Sequence, residues 1–316
     1  MISVKNLTKY YGDFQALKGI SFEIKSGEIV GILGPNGAGK STTLRILTCY
    51  LNPTDGDAII DGKSILDDEI NVKKTIGYLP ESAPLYNDMC VFDYLVYMAD
   101  IQDLDKSKLN ERLDYVVDAC SLKEVISKPI GELSKGYKQR VGLAGSIIHD
   151  PKILILDEPT NGLDPNQIVE IRELIKELGK EKTVLVSTHI LSEVEATCSR
   201  AIIINKGDII ADDTPRNLSS SFANHNKSTT VKISIKTSDN IETIKEKLSN
   251  IKDIYKVEIE EFSNDIKEVS IYSNSEEPRD EIYRFIKNTD WIIYEMTKVK
   301  ENLETVFHTL TKGDEQ

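Results

Sequence analysis

The run Gly34-Pro35-Asn36-Gly37-Ala38-Gly39-Lys40-Ser41 constrains this chain more than any other stretch. It fits G-x-x-x-x-G-K-[ST], the phosphate loop, which requires a strand before it and a helix after it. Ile29-Val30-Gly31-Ile32-Leu33 is an unbroken apolar run of buried-strand type, and residues from about Ser41 to Cys49 read as a helix. Glycines let the backbone fold into a cradle whose N–H groups point at phosphate oxygens. The helix N-terminus adds a partial positive charge. In this setting Lys40 can reach the β- and γ-phosphates, and Ser41 can hold Mg²⁺.

Ile153-Leu154-Ile155-Leu156-Asp157-Glu158 supplies a second half for such a site. Four apolar residues make a buried strand that delivers two carboxylates at its C-terminal edge, where open α/β sheets bind ligands. Asp157 suits a Mg²⁺ shell. Glu158 is placed to orient or deprotonate a water for attack on a γ-phosphate.

The surrounding pattern is α/β. Apolar strands at Ile153–Leu156, Thr183–Ser187 and Ala201–Ile204 alternate with helices near Pro165–Leu178 and Leu191–Ala196. Such alternation predicts a mostly parallel sheet sandwiched between helices. Near the N-terminus, Ile2, Val4 and Leu7 precede a turn at Gly12–Asp13, and Ile20, Phe22 and Ile24 read as a half-buried strand. From Leu85 to about Leu133 the reading is helical, with a further helix from about Gln139 to Ile148.

The stretch from Leu218 to Ser228 is rich in Ser and Asn and reads as a linker. Beyond it, strand and helix spacings follow the order β-α-β-β-α-β, the split-βαβ plan. A closing helix carries Leu303, Val306, Phe307 and Leu310 at i, i+3, i+4 and i+7. The expected organisation is therefore residues 1–218, a linker at 219–228, and an accessory α+β domain at 229–316.

A length of 316 residues agrees with two domains or three. The net charge of −13 argues against a general basic surface for nucleic acid, so no nucleic-acid partner is expected. Cys49, Cys90, Cys120 and Cys198 form no CxxC pair and read as scattered thiols. No window approaches the ~18 apolar residues of a membrane span, and Lys5 and Lys9 interrupt any secretory h-region. Membrane business is expected to pass through another chain.

Leu133-Ser134-Lys135-Gly136-Tyr137 resembles the signature sequence of ABC-type ATPases, usually Leu-Ser-Gly-Gly-Gln. With the two motifs above, the resemblance covers residues 1 to about 215. It implies a P-loop ABC-type ATPase domain with a helical subdomain at about 85–148, binding ATP and Mg²⁺. The loop from Gly34 to Lys40, with Ser41 and Thr42, would hold the nucleotide. Tyr11 matches the aromatic that stacks on adenine, with Tyr10 as competitor. Asn161-Gly162-Leu163-Asp164 matches the loop that crosses a dimer, and His189 matches the histidine at the γ-phosphate. Lys40, Glu158 and His189 would be catalytic, and Ser41, Asp157 and Glu81 would face the metal. In that family two such domains face head to tail, so Ser134 and Gly136 would read the partner's γ-phosphate.

Three positions depart from the usual pattern: Lys135, Tyr137, and Glu81 where glutamine is usual. With the α+β tail they resemble a bacterial subgroup serving multidrug, sodium-extrusion, gliding-motility and copper-processing exporters. That likeness implies a peripheral ATPase on the cytoplasmic face of the membrane, partnered by a polytopic membrane subunit and a second ATP-binding subunit. The groove between the Glu81 loop and the helices after Leu85 would receive the membrane partner, with Tyr86, Phe92, Tyr94 and Tyr97 as contact candidates. A soluble ATPase of the same fold acting on nucleic acid or ribosomes is the alternative. The tail reads equally as a regulatory module or as a cover for apolar surface.

Overall fold

A computed structural model describes residues 1–218, 229–261, 266–275 and 277–299. The chain divides into two compact units, Met1–Pro215 and Arg216–Gln316. The linker expected at 219–228 and the closing helix of Leu303, Val306, Phe307 and Leu310 lie outside the described residues.

In the first unit the elements run β1 (Ile2–Tyr11), β2 (Phe14–Ile24), β3 (Ile29–Leu33), α1 (Lys40–Leu47), β4 (Asp55–Ile60), β5 (Lys63–Ser64), α2 (Glu69–Thr75) and β6 (Ile76–Leu79). They continue as α3 (Val91–Ile101), α4 (Leu109–Ala119), α5 (Lys135–Ile147), β7 (Ile153–Asp157), α6 (Pro165–Gly179), β8 (Thr183–Thr188), α7 (Leu191–Thr197), β9 (Arg200–Asn205) and β10 (Asp208–Asp213).

Six strands form the central sheet in the order β10-β9-β3-β8-β7-β6. Only β10 runs antiparallel to its neighbour. The strands β3, β7 and β8 read as continuous apolar runs because both their faces are covered. Ile153 and Ile155 of β7 pack with α1 and the N-terminal strands, whereas Leu154 and Leu156 pack with α3, α5 and α6.

The mostly parallel sheet is as expected, and β2, β1, β4 and β5 form a separate antiparallel sheet beside it. A hairpin closed at Gly12 joins β1 and β2, and a connection that short pairs them antiparallel, since parallel pairing needs a long crossover. Residues 85–133 are not one helical stretch. Regular helix is confined to α3 and α4; Asp103 takes a left-handed φ of 53° between them, and Asp105 caps a short 3-10 turn. Met89 and Ile130 instead tie the flanking loops together through backbone bonds. The next helix, α5, starts at Lys135 rather than Gln139, because Ser134 caps it by accepting from the Tyr137 N–H.

The second unit contains β11 (Thr229–Lys236), α8 (Ile241–Ser249), β12 (Ile254–Glu261), β13 (Ile266–Ser273), α9 (Arg279–Ile286) and β14 (Ile292–Val299). Its antiparallel sheet has the order β12-β13-β11-β14, the split-βαβ plan expected from the periodicity. Ile233, Ile235, Val257 and Ile271 pack there against Ile244 and Leu248 of α8 and Ile282 and Ile286 of α9.

Candidate nucleotide site

Four neighbouring strands, β3, β8, β7 and β6, end on one side of the central sheet. Parallel register puts Leu33 beside Thr188 and Asp157 beside Ser187. The phosphate loop, His189, the Asp157–Glu158 pair and Glu81 therefore emerge at one edge, although their sequence positions span much of the unit. A cleft of about 510 Å³ opens there.

The loop's shape depends on its glycines. Gly39 lies at φ 113°, and a Cβ there would meet Leu17 Cδ2 at 2.7 Å. Gly34 approaches β9 so closely that a Cβ would stand 2.3 Å from the Ile204 carbonyl oxygen. No side chain caps α1, and its first turn holds no acid. The first N–H groups of a helix have no carbonyl partner within it, so they face whatever enters the cleft. Lys40 donates to the carbonyls of Gly34 at 2.8 Å and Pro35 at 3.2 Å. Its ammonium stands 3.5 Å from Glu158 Oε1, and both side chains are buried. Asn36, Gly37, Gly39, Lys40, Ser41 and Thr42 line the cleft; Gly34, Pro35 and Ala38 shape the loop behind it.

Asp157 is 1% exposed. Its Oδ1 accepts from the Ser41 hydroxyl at 3.1 Å and from the Ser187 hydroxyl at 2.5 Å. Glu158 has a left-handed φ of 48°, which turns its side chain out of the strand path. Its N–H donates to Ser187 Oγ at 3.0 Å. His189 Nδ1 donates to Glu158 Oε2 at 2.8 Å. The carboxylate of Glu158 is thus bracketed by Lys40 and His189. Glu81 lines the mouth and accepts from Asn161 Nδ2 at 3.0 Å.

At the other end the cleft is walled by Tyr11, Phe14 and Ala16 from the β1–β2 hairpin. Tyr11 faces it and Tyr10 does not, with the Lys9 ammonium 5.5 Å from the Tyr11 ring centroid. Ser134 and Gly136 stand apart from the cleft of their own chain. Gly136 packs so tightly on α6 that a Cβ would meet the Gln167 carboxamide at 2.5 Å. Asp164 caps α6 through a capping box with Gln167, which fixes the end of the Asn161–Asp164 loop.

Two contributors escaped the sequence reading. Ser187 is a fully buried strand residue whose hydroxyl joins the two acidic positions. The available signal was a Ser-Thr pair ending an otherwise apolar strand. Phe14 gains its place only from the hairpin that folds it beside Tyr11.

Residues 17–161 match the family model described as ABC transporter. The uncharacterized ABC transporter ATP-binding protein YxlF of Bacillus subtilis is 39% identical over 209 residues, covering 66% of this chain and 69% of that protein. The chain belongs to the ATP-binding proteins of ABC transporters. The bacitracin transport ATP-binding protein BcrA of Bacillus licheniformis is 37% identical over 214 residues, covering 67% of this chain and 69% of that one. Among solved structures, the ATP-binding cassette MJ0796, a dimer in a post-hydrolysis state bound to ADP and Pi, superposes with a TM-score of 0.61 at 28% identity. That alignment covers 68% of this chain and 98% of the cassette. The chain is accordingly a P-loop ATPase of the ABC type.

Proposed function

We propose that this ABC ATP-binding protein drives a membrane exporter by closing on ATP against a second copy and reopening on hydrolysis. The observation that carries the reading is Glu158, buried between Lys40 and His189 at the mouth of the phosphate loop. A γ-phosphate entering the cleft competes with the loop carbonyls and Glu158 for the Lys40 ammonium. Once Lys40 turns to phosphate, Glu158 is free to take a proton from a water aligned for attack. His189 holds that carboxylate through Nδ1 and keeps Nε2 for the phosphate. Tyr11 supplies a stacking face for the base.

The Ser41 hydroxyl and Asp157 carboxylate are hard oxygen donors side by side. The described residues hold no group of three or more His, Cys, Asp or Glu able to grip a metal. A cation here would take its remaining ligands from phosphates and water, as Mg²⁺ does. When bound, Mg²⁺ would neutralise charge on the β- and γ-phosphates. In the same reading, Glu81 joins this group when its loop is pressed inward.

Ser134 and Gly136 sit outside their own cleft, which fits a role across a head-to-tail dimer; the MJ0796 cassette is itself a dimer. A groove of about 560 Å³ adjoins the site, lined by Arg45, Tyr50, Tyr78, Tyr86 and Tyr97, with Glu81 on its rim as well as on the cleft. We assign it to the polytopic membrane subunit. Tyr86 and Tyr97 stay exposed for that role; Tyr94 contributes one edge but is otherwise core, and Phe92 lies on a different groove. No helix among the described residues is long and apolar enough to cross a membrane. In this reading the chain works peripherally, at the cytoplasmic face of the membrane subunit. Export rather than import is the direction implied by the subgroup resemblance at Lys135, Tyr137 and Glu81.

Glu158→Gln tests the reading. ATP binding is expected to persist, since Ser41, Asp157 and Lys40 are untouched. Hydrolysis is expected to fall about 10²–10⁴-fold. The ATP-bound dimer should then outlive that of the wild type in a size measurement. Wild-type turnover in this variant would overturn the assignment.

A further inference from the structure

We propose that Glu193 is a positioning residue that locks the loop after β7 to the loop after β8, so that His189 and the Asn161–Asp164 segment move as one body. Glu193 lies in the first turn of α7 and is 5% exposed. Its Oε1 accepts from the Thr160 hydroxyl at 2.5 Å, and its Oε2 accepts from the Thr188 hydroxyl at 2.7 Å. Thr160 immediately precedes Asn161, and Thr188 immediately precedes His189. One carboxylate thus holds, with a different oxygen each, the residue just before Asn161 and the residue just before His189.

The clamp is backed on both sides. Thr188 Oγ1 accepts from the Ile190 N–H at 3.0 Å, which orients the hydroxyl toward Glu193. Arg172 of α6 brings Nη2 to 3.8 Å from Glu193 Oε1. Its buried Nε has no hydrogen-bond partner among the described residues, and Glu193 is the carboxylate at ion-pair distance from this guanidinium.

A buried carboxylate is a costly way to hold two threonines if packing were the only need. A carboxylate offers a separate acceptor oxygen to each hydroxyl; an amide offers one such oxygen and a donor. The arrangement therefore rigidifies the relation between two loops that meet no common backbone ladder beyond Ser187. The inference rests on the proposed roles of His189 and the Asn161–Asp164 loop. A contact made by that loop across the dimer would be transmitted through Thr160, Glu193 and Thr188 to the histidine. Binding of ATP by the phosphate loop would not pass through it.

The test is steady-state ATPase activity of the full chain for wild type, Glu193→Ala, His189→Ala, their double variant, Thr160→Val and Glu193→Gln, with Glu158→Gln as reference. Glu193→Ala should lower kcat about 10–100-fold, the scale of a reacting group misplaced by about 1 Å, with KM for ATP within about 3-fold. In the His189→Ala background the same change should cost less than about 3-fold, since both act through one group. Glu193→Gln should recover part of kcat, and Thr160→Val should fall between it and wild type. A merely structural acid would give additive losses. Additivity, or an unchanged kcat in Glu193→Ala, overturns the inference. If Glu193→Ala fails to fold, wild-type kcat in Thr160→Val overturns it instead. If Glu158→Gln itself turns over like wild type, the reading of the whole site fails rather than this clamp.

Discussion

Removing one oxygen atom at Ser187 should reach both acidic positions of the site. In Ser187→Ala, Asp157 loses the 2.5 Å hydroxyl bond and keeps the Ser41 hydroxyl as its donor among the described residues. The Glu158 N–H loses Ser187 Oγ but retains the carbonyl of the same residue at 3.2 Å. The net loss is one bond to a buried carboxylate, about 1.5–3 kcal/mol. For a unit of this size each kcal/mol moves Tm by about 2–4 °C, so a drop of about 3–12 °C is expected. Calorimetry reads it in the transition that ATP raises, because ligand binding marks the unit that holds the site. If the same bond also aligns Glu158, up to its whole value is lost from the transition state, a fall in kcat of about 10–100-fold. KM for ATP should stay within about 3-fold, since Lys40 and the phosphate loop are untouched. A variant with wild-type kcat and a Tm within about 1 °C would refute the argument that Ser187 ties Asp157 to Glu158.

Further expectations follow from the same geometry. Burial pushes the His149 pKa down to about 4, with Nε2 donating to the Ile76 carbonyl and Nδ1 buried without a partner among the described residues. The unfolded chain therefore binds the extra proton first, and this stability, complete above about pH 6.5, drains away as pH falls toward 4, by up to about 3 kcal/mol. His149→Gln should flatten the slope of Tm between pH 7 and pH 5; an identical slope would remove His149 as its source. Gly77→Ala places a Cβ 2.2 Å from the Ser146 carbonyl oxygen, so it should destabilise the first unit by about 3 kcal/mol or more, seen as lowered Tm or insolubility. Glu81→Gln should weaken the Mg²⁺ dependence of ATP binding in a titration at fixed ATP, measured with and without the membrane partner. Matching curves under both conditions would leave Glu81 only a contact role.

Much of the site was legible from residue order, because its chemistry is local. A phosphate loop needs spaced glycines, a lysine and a hydroxyl between strand and helix, and Gly34–Ser41 contains all of them. The acids Asp157 and Glu158 announce themselves as the polar end of an apolar strand. The tail's alternation of period-2 and helical spacings likewise predicted its sheet and two helices, since each strand has one face on those helices. Tertiary structure decided the rest. Nothing along the chain says that β8 inserts between β3 and β7, yet that insertion brings His189 and Ser187 to Asp157 and Glu158. Strand order is set by how buried faces fill one core, a long-range property that periodicity does not carry. Pairing in the N-terminal hairpin chose Tyr11 over Tyr10 and added Phe14 to the wall. Glu193 is invisible as a clamp in sequence, where it is one acid in a short helix. It becomes one only when parallel pairing of β7 and β8 sets Thr160 and Thr188 on either side of its carboxylate.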